Sequence, residues 1–138
     1  MTNDIRASVA LIVSMSFFAP SLSYAEKPTV EWIASEIARQ HNANAEVMKD
    51  EMIVSSSAQA IGKNVIFKYV LRVERDVSKQ KLDGYRSELY QEIVPKTCRV
   101  NSSNPAFKDG LFYTFVYVSH YGQPLAELVV NKRVCGSN

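Results

Sequence analysis

Two cysteines, two histidines and a few spaced carboxylates are the residues of this chain with the chemistry for catalysis, metal binding or cross-linking. Cys98 and Cys135 belong to no Cys-x-x-Cys pair and have no histidine beside them, so neither thiol exchange nor zinc ligation is predicted. In an oxidising compartment such a lone pair closes as a structural disulfide. The bridge would span a loop of about 38 residues and contribute about 4 kcal/mol by restricting the unfolded chain. His41 and His120 fall in unconnected places, without an acid or nucleophile at a diagnostic spacing. General acid–base work needs partners at set geometry, so no catalytic role is predicted for either. No His-Glu-x-x-His, no Gly-x-Ser-x-Gly and no phosphate-cradling glycine loop occurs.

Other clusters have simpler structural accounts. Glu88, Glu92 and Lys96 stand four apart on a predicted helix, where i,i+4 pairing on a solvated face explains them. Asp50-Glu51 is a charge pair flanking a strand. Tyr113, Phe115, Tyr117 and Tyr121 form an aromatic ladder of the kind that can stack on bases or sugars. Such sites interleave Arg and Lys with the rings, and no basic residue lies between Leu111 and Ser119. Core packing is therefore expected of the rings, and no nucleic-acid partner. Lys68, Arg72 and Glu74 share a strand face, and would form a small basic patch with Lys132 and Arg133 if their strands adjoin. Asn101-Ser102-Ser103 is a formal glycosylation sequon. No catalytic, metal-ligating or cofactor-binding residue is predicted, and no cofactor.

The elements that must position these residues follow from periodicity. Thr29 caps a helix over residues 30–42, with Val30, Ile33, Ala34, Ile37, Ala38 and His41 on one face. Met52 to Ala60 reads as a weak, serine-rich strand suited to a sheet edge. A turn at Gly62-Lys63-Asn64 follows, then a strand in which Val65, Phe67, Tyr69, Leu71 and Val73 alternate. Ser78 caps a second helix through Leu82, Tyr85, Leu89 and Ile93, which Pro95 should end or kink just before Cys98. A single helical turn is predicted between Asn104-Pro105 and Gly110. Strands over 111–120 and 125–135 then form a hairpin. Apolar matching places Tyr117 on Ala126, Phe115 on Leu128, Tyr113 on Val130 and Ser119 on Pro124. The first of these strands is apolar on its second face too, through Phe112, Val116 and Val118, and so is predicted to be covered on both sides. The order is α-β-β-α-β-β: an α+β fold with an antiparallel sheet of about four strands and helices packed against it.

Residues 1–25 read as a cleavable secretory signal peptide. Arg6 precedes an apolar run from Val9 to Ala19, Pro20 breaks it, and small residues at Ser23 and Ala25 suit cleavage between Ala25 and Glu26. The run is too short to cross roughly 30 Å of hydrocarbon, which takes about 20 residues, so no membrane anchor is expected after cleavage. Residues 26–138 then make a single domain, periplasmic or secreted. Of the chain's 138 residues 46% are hydrophobic and 22% charged, as in ordinary globular proteins, and the net charge of +2 points to no polyanionic partner.

The second half resembles a loosely defined group of small bacterial exported proteins, and its general plan is similar to that of the beta-class pilotins of type II secretion. The likeness lies in Phe67-Lys68-Tyr69, a helix ending at Cys98, and a strand led by Gly110 with Tyr113 and Tyr117. A turn at Gly122 and the terminal Cys135 complete it. It spans about residues 60–135. It implies a disulfide-closed sheet flanked by helices and an envelope protein as partner, since those pilotins bind a secretin segment. They are lipoproteins, whereas no cysteine lies near the predicted cleavage point here.

The expected function is that of a non-enzymatic binding or assembly module whose free sheet edge accepts a partner strand. Two alternatives stand beside it. One is an inhibitor or immunity protein against an envelope enzyme. The other is a small-ligand carrier or enzyme, which needs a pocket gathering His41 or tyrosines with a carboxylate. The sequence sets no oligomeric state.

Overall fold

A computed structural model describes residues 26–136. The predicted leader, with Ala25 of its cleavage point, lies outside the described residues.

Helix α1 (Val30–Ala43) starts where Thr29 Oγ1 accepts the Trp32 N–H at 3.1 Å, and buries Ala34, Ile37, Ala38 and His41. Strand β1 (Ile53–Ile61) begins at an Asx turn, with Asp50 Oδ1 accepting the N–H groups of Met52 and Ile53. Strand β2 (Asn64–Leu71) returns after a two-residue turn. Gly62 takes its first position with φ 59°, a conformation that costs a side-chain-bearing residue. Asn64, expected in the turn, is already paired with Ile61.

Helix α2 (Lys79–Asn101) is capped by Ser78 Oγ, which accepts the Lys81 N–H at 3.3 Å. Pro95, expected to end or kink this helix, does not end it. Proline costs a helix one hydrogen bond, here to the Gln91 carbonyl, and both Pro95 and Gln91 are exposed to water. Beyond the proline, Thr97 and Asn101 are buried, and packing holds the last turns helical. Helix α3 (Pro105–Lys108) is the predicted single turn, capped by Asn104.

Strand β3 (Phe112–Ser119) and strand β4 (Pro124–Val130) pair with Tyr117 on Ala126, Phe115 on Leu128 and Tyr113 on Val130, as apolar matching requires. Near the turn the register shifts, so Pro124 meets Val118 rather than Ser119. Ser119 Oγ instead accepts the N–H groups of Tyr121 and Gln123. The predicted last strand is also too long. It stops at Val130, and a short helix α4 (Lys132–Gly136) carries Cys135, started by Asn131 Oδ1 accepting the Val134 N–H.

The four strands lie in the order β1-β2-β3-β4. The sheet is mixed rather than antiparallel: both hairpins are antiparallel, but β2 and β3 run parallel. The connection between them contains all of α2. That is long enough to carry the chain back to the end of the sheet where β2 began, so β3 starts in the same direction.

One face of the sheet forms the core. Val65, Phe67, Tyr69, Tyr113, Phe115 and Tyr117 have no exposed area, and Phe67 stacks on Phe115 and Tyr69 on Tyr117 at 5.3 and 5.2 Å. Beside these rings β1 contributes the small Ser56, Ala58 and Ala60, with Ile53 at its start, and α1, with Ala34 and Ala38, packs against it. Helix α2 packs on the same core through Leu89, Ile93 and Val94, against β4. Cys98 and Cys135 are joined, with their Cα atoms 5.4 Å apart, so the bridge ties α4 to α2 and not the last strand.

Candidate functional site

The opposite face of the sheet is where sequence and fold disagree. Phe112, Val116 and Val118 make β3 apolar on both sides, which predicts cover on both sides. Both long helices lie on the face of Phe67 and Tyr117, and Phe112, Val116 and Val118 stay half-exposed. The register lays this second face out in rows. Gln59, Ile66, Thr114 and Val129 form one; Ser57, Lys68, Val116 and Glu127 the next; Ser55, Val70, Val118 and Pro124 the third. An apolar strip thus runs along β3, with Ile66 and Val70 beside it on β2 and Lys68 and Glu127 on either side of Val116; Val129 is 44% and Ile61 60% exposed at its margins. Thr114, the one polar side chain β3 places on this face, donates from Oγ1 to Asn64 Oδ1 at 3.0 Å. A contiguous apolar patch flanked by charge is the usual mark of a contact surface.

The sheet edges are less available than the sequence suggests. Strand β1 is the edge it was expected to be. The Asn42 carboxamide, however, donates to the Ala58 carbonyl and accepts from the Ala58 N–H, both at 2.8 Å. A side chain of α1 therefore occupies the mid-strand groups that an added strand would use. At the other edge, Arg86 Nε donates to the Leu125 carbonyl of β4 at 3.2 Å.

The residues of chemical type are placed elsewhere. His41 Nε2 lies 2.5 Å from Ser56 Oγ, a base and a hydroxyl at the distance of an activated nucleophile. Both are sealed in the core, 1% and 8% exposed, and the imidazole leans on Phe67 and Tyr69. Burial pushes the His41 pKa down to about 4, so the ring is neutral near pH 7. The pair carries no sequence signal, because fifteen residues separate its members and only the packing of α1 on β1 brings them together.

His120 sits apart, at the β3–β4 turn, with Nδ1 3.2 Å from the Leu71 carbonyl. Beside it Arg75 lies over the Tyr121 ring, so Tyr121 is not part of the core ladder. Glu92 and Lys96 pair at 3.2 Å as expected, while Glu88 is half-buried. The basic patch does not form. Strand β3 separates β2 from β4, and Lys132 lies on α4 with its Nζ donating to the Lys108 carbonyl. Asn101 of the sequon is 1% exposed and bonded to Thr97 and Tyr113. No group of three or more His, Cys, Asp or Glu side chains placed to hold a metal ion occurs among the described residues.

No protein-family model and no curated protein matches the chain. Its fold is similar to that of the type II secretion system pilotin AspS from Vibrio cholerae, with a TM-score of 0.54 and 17% identity over 77% of this chain and 92% of that one. It is also similar to a Pseudomonas aeruginosa protein thought to be secreted, with a TM-score of 0.48 and 14% identity over 80% and 99%. At 17% identity the pilotin shows a shared fold.

Proposed function

We propose that this chain is an exported, non-enzymatic protein-binding module that serves assembly in the cell envelope, and that its contact surface is the uncovered face of the sheet. One observation carries the reading: β3 is apolar on both faces, and the described residues cover only one of them. A second layer supplied by another polypeptide would bury the half-exposed Phe112, Val116 and Val118 at about 25 cal/mol per Å². The partner strand expected at the β1 edge gives way to face-on binding, because Asn42 occupies the middle of that edge. The leader-like residues 1–25 and the cysteine pair support export, and the fold shared with a pilotin supports a role in envelope assembly.

The test places a photo-crosslinking amino acid at Val116, or as a control at Ser35 on the exposed side of α1, in the producing cell. Crosslinked protein adducts are expected from position 116 and not from 35. The mature chain recovered from the envelope is expected to begin at Glu26. Equal, background-level adducts from both positions would remove the binding surface.

A further inference from the structure

We infer that the uncovered face receives a second copy of this chain, the two sheets packing face to face about a two-fold axis that runs along β3. This rests on the proposed reading of that face as a contact surface, and names its occupant.

The charges on the face select both the partner and its orientation. Lys68 and Glu127 lie in one row, one strand to either side of Val116. They are two strand spacings apart, about 10 Å, with Val116 between them. Both are exposed, and neither side chain makes an ion pair or hydrogen bond among the described residues. A two-fold axis along β3 carries β2 of one copy over β4 of the other. Lys68 then faces Glu127 of the second copy, and Glu127 faces its Lys68. One operation matches both charges, and sets Val116 and Val118 against their own counterparts. Rotating about an axis across the strands instead would stack Lys68 on Lys68 and Glu127 on Glu127, which like-charge repulsion opposes. Aligned sheets pack about 10 Å apart, a gap that a lysine and a glutamate reaching from either side can close. Such a contact is isologous and stops at two copies.

An axis along β3 lays β2, β3 and β4 over β4, β3 and β2 and leaves β1 outside the contact. Three strands of this length present about 370 Å², so the dimer would bury about 750 Å² in total. That is below the size of a stable interface, and the dimer is accordingly weak and reversible with concentration.

The experiment is sedimentation velocity of the mature, oxidised protein from micromolar to millimolar concentration. The wild type is expected to pass from monomer to dimer. Lys68→Glu or Glu127→Lys alone places like charges together twice per dimer and should weaken association about tenfold or more. Lys68→Glu combined with Glu127→Lys restores the pairing in reverse, and should return association to within a few-fold of wild type. A merely structural role for either residue would not produce that rescue. A wild type that stays monomeric throughout, or a double variant no better than the singles, would overturn the inference. If the protein is monomeric and position 116 still crosslinks to a different protein, the second copy is wrong and the contact surface stands. If position 116 crosslinks to nothing, both fall.

Discussion

Single polar side chains, rather than long ladders, fasten the loops and helices of this protein to its sheet. Asn42 holds Ala58 by both backbone groups, and Gln123 does the same for Val77, at 2.9 and 3.1 Å. Asn101 accepts from the Tyr113 hydroxyl, which satisfies that buried phenol. None of these pairings could be read from the sequence. Each joins residues far apart in the chain, and carboxamides are equally common in loops. The caps at Thr29 and Ser78 were legible because their partners lie three residues away. His41 is the residue whose burial has a measurable consequence. Its folded-state pKa of about 4 lies below the unfolded value of 6.5. Between those values the unfolded chain takes up a proton that the folded chain refuses. Its contribution is therefore complete above about pH 6.5 and disappears as the pH falls towards 4, a loss of about 3 kcal/mol. Urea unfolding across that window should show the wild type losing about that much more stability than His41→Gln. Parallel curves for the two proteins would mean that the imidazole is not sealed.

At the scale of elements, alternation, helical spacing and the Asn104-Pro105 and Gly110 signals point to every helix and strand except α4, together with the β3–β4 register away from the turn. What they could not give was direction and cover. Whether two strands run parallel depends on where the connection delivers the chain, and period two is the same either way. Pro95 misled because its local cost is real, yet α2 is held on both sides of it by buried side chains, Ile93 and Val94 before it and Thr97 after it. The edge strand β1 is the element most exposed to error in assembly, since its outward N–H and C=O groups can template another chain. Asn42 guards it at Ala58. Asn42→Ala should cost about 1–3 kcal/mol through two lost hydrogen bonds. It should also speed hydrogen exchange at the Ala58 amide well beyond that of Phe67 opposite it. Unchanged exchange at Ala58 would show that the carboxamide does not occupy the edge in solution.

Taken together, the described residues form a two-layer structure, helices on one face of a sheet, built from a sequence whose central strand calls for three layers. That mismatch is the source of the functional reading, because local composition fixes how apolar a strand is while only the complete fold decides what covers it. Within the chain itself, the strongest constraint on the unfolded state is the Cys98–Cys135 bridge. It closes a loop containing α3, β3 and β4, so it restrains half of the sheet as well as the chain end. By the chain-entropy account its removal costs about 4 kcal/mol, out of about 5–15 kcal/mol for a domain of this size. Replacing both cysteines by alanine should therefore lower the urea midpoint by a large fraction. The released α4 should lose protection first, read at the Cys135 position amide that bonds to the Asn131 carbonyl. Stability that did not change between oxidised and reduced wild-type protein would contradict this. The loop would then already be restrained before folding, and the entropy assigned to its closure would have to be sought in the α2–sheet packing instead.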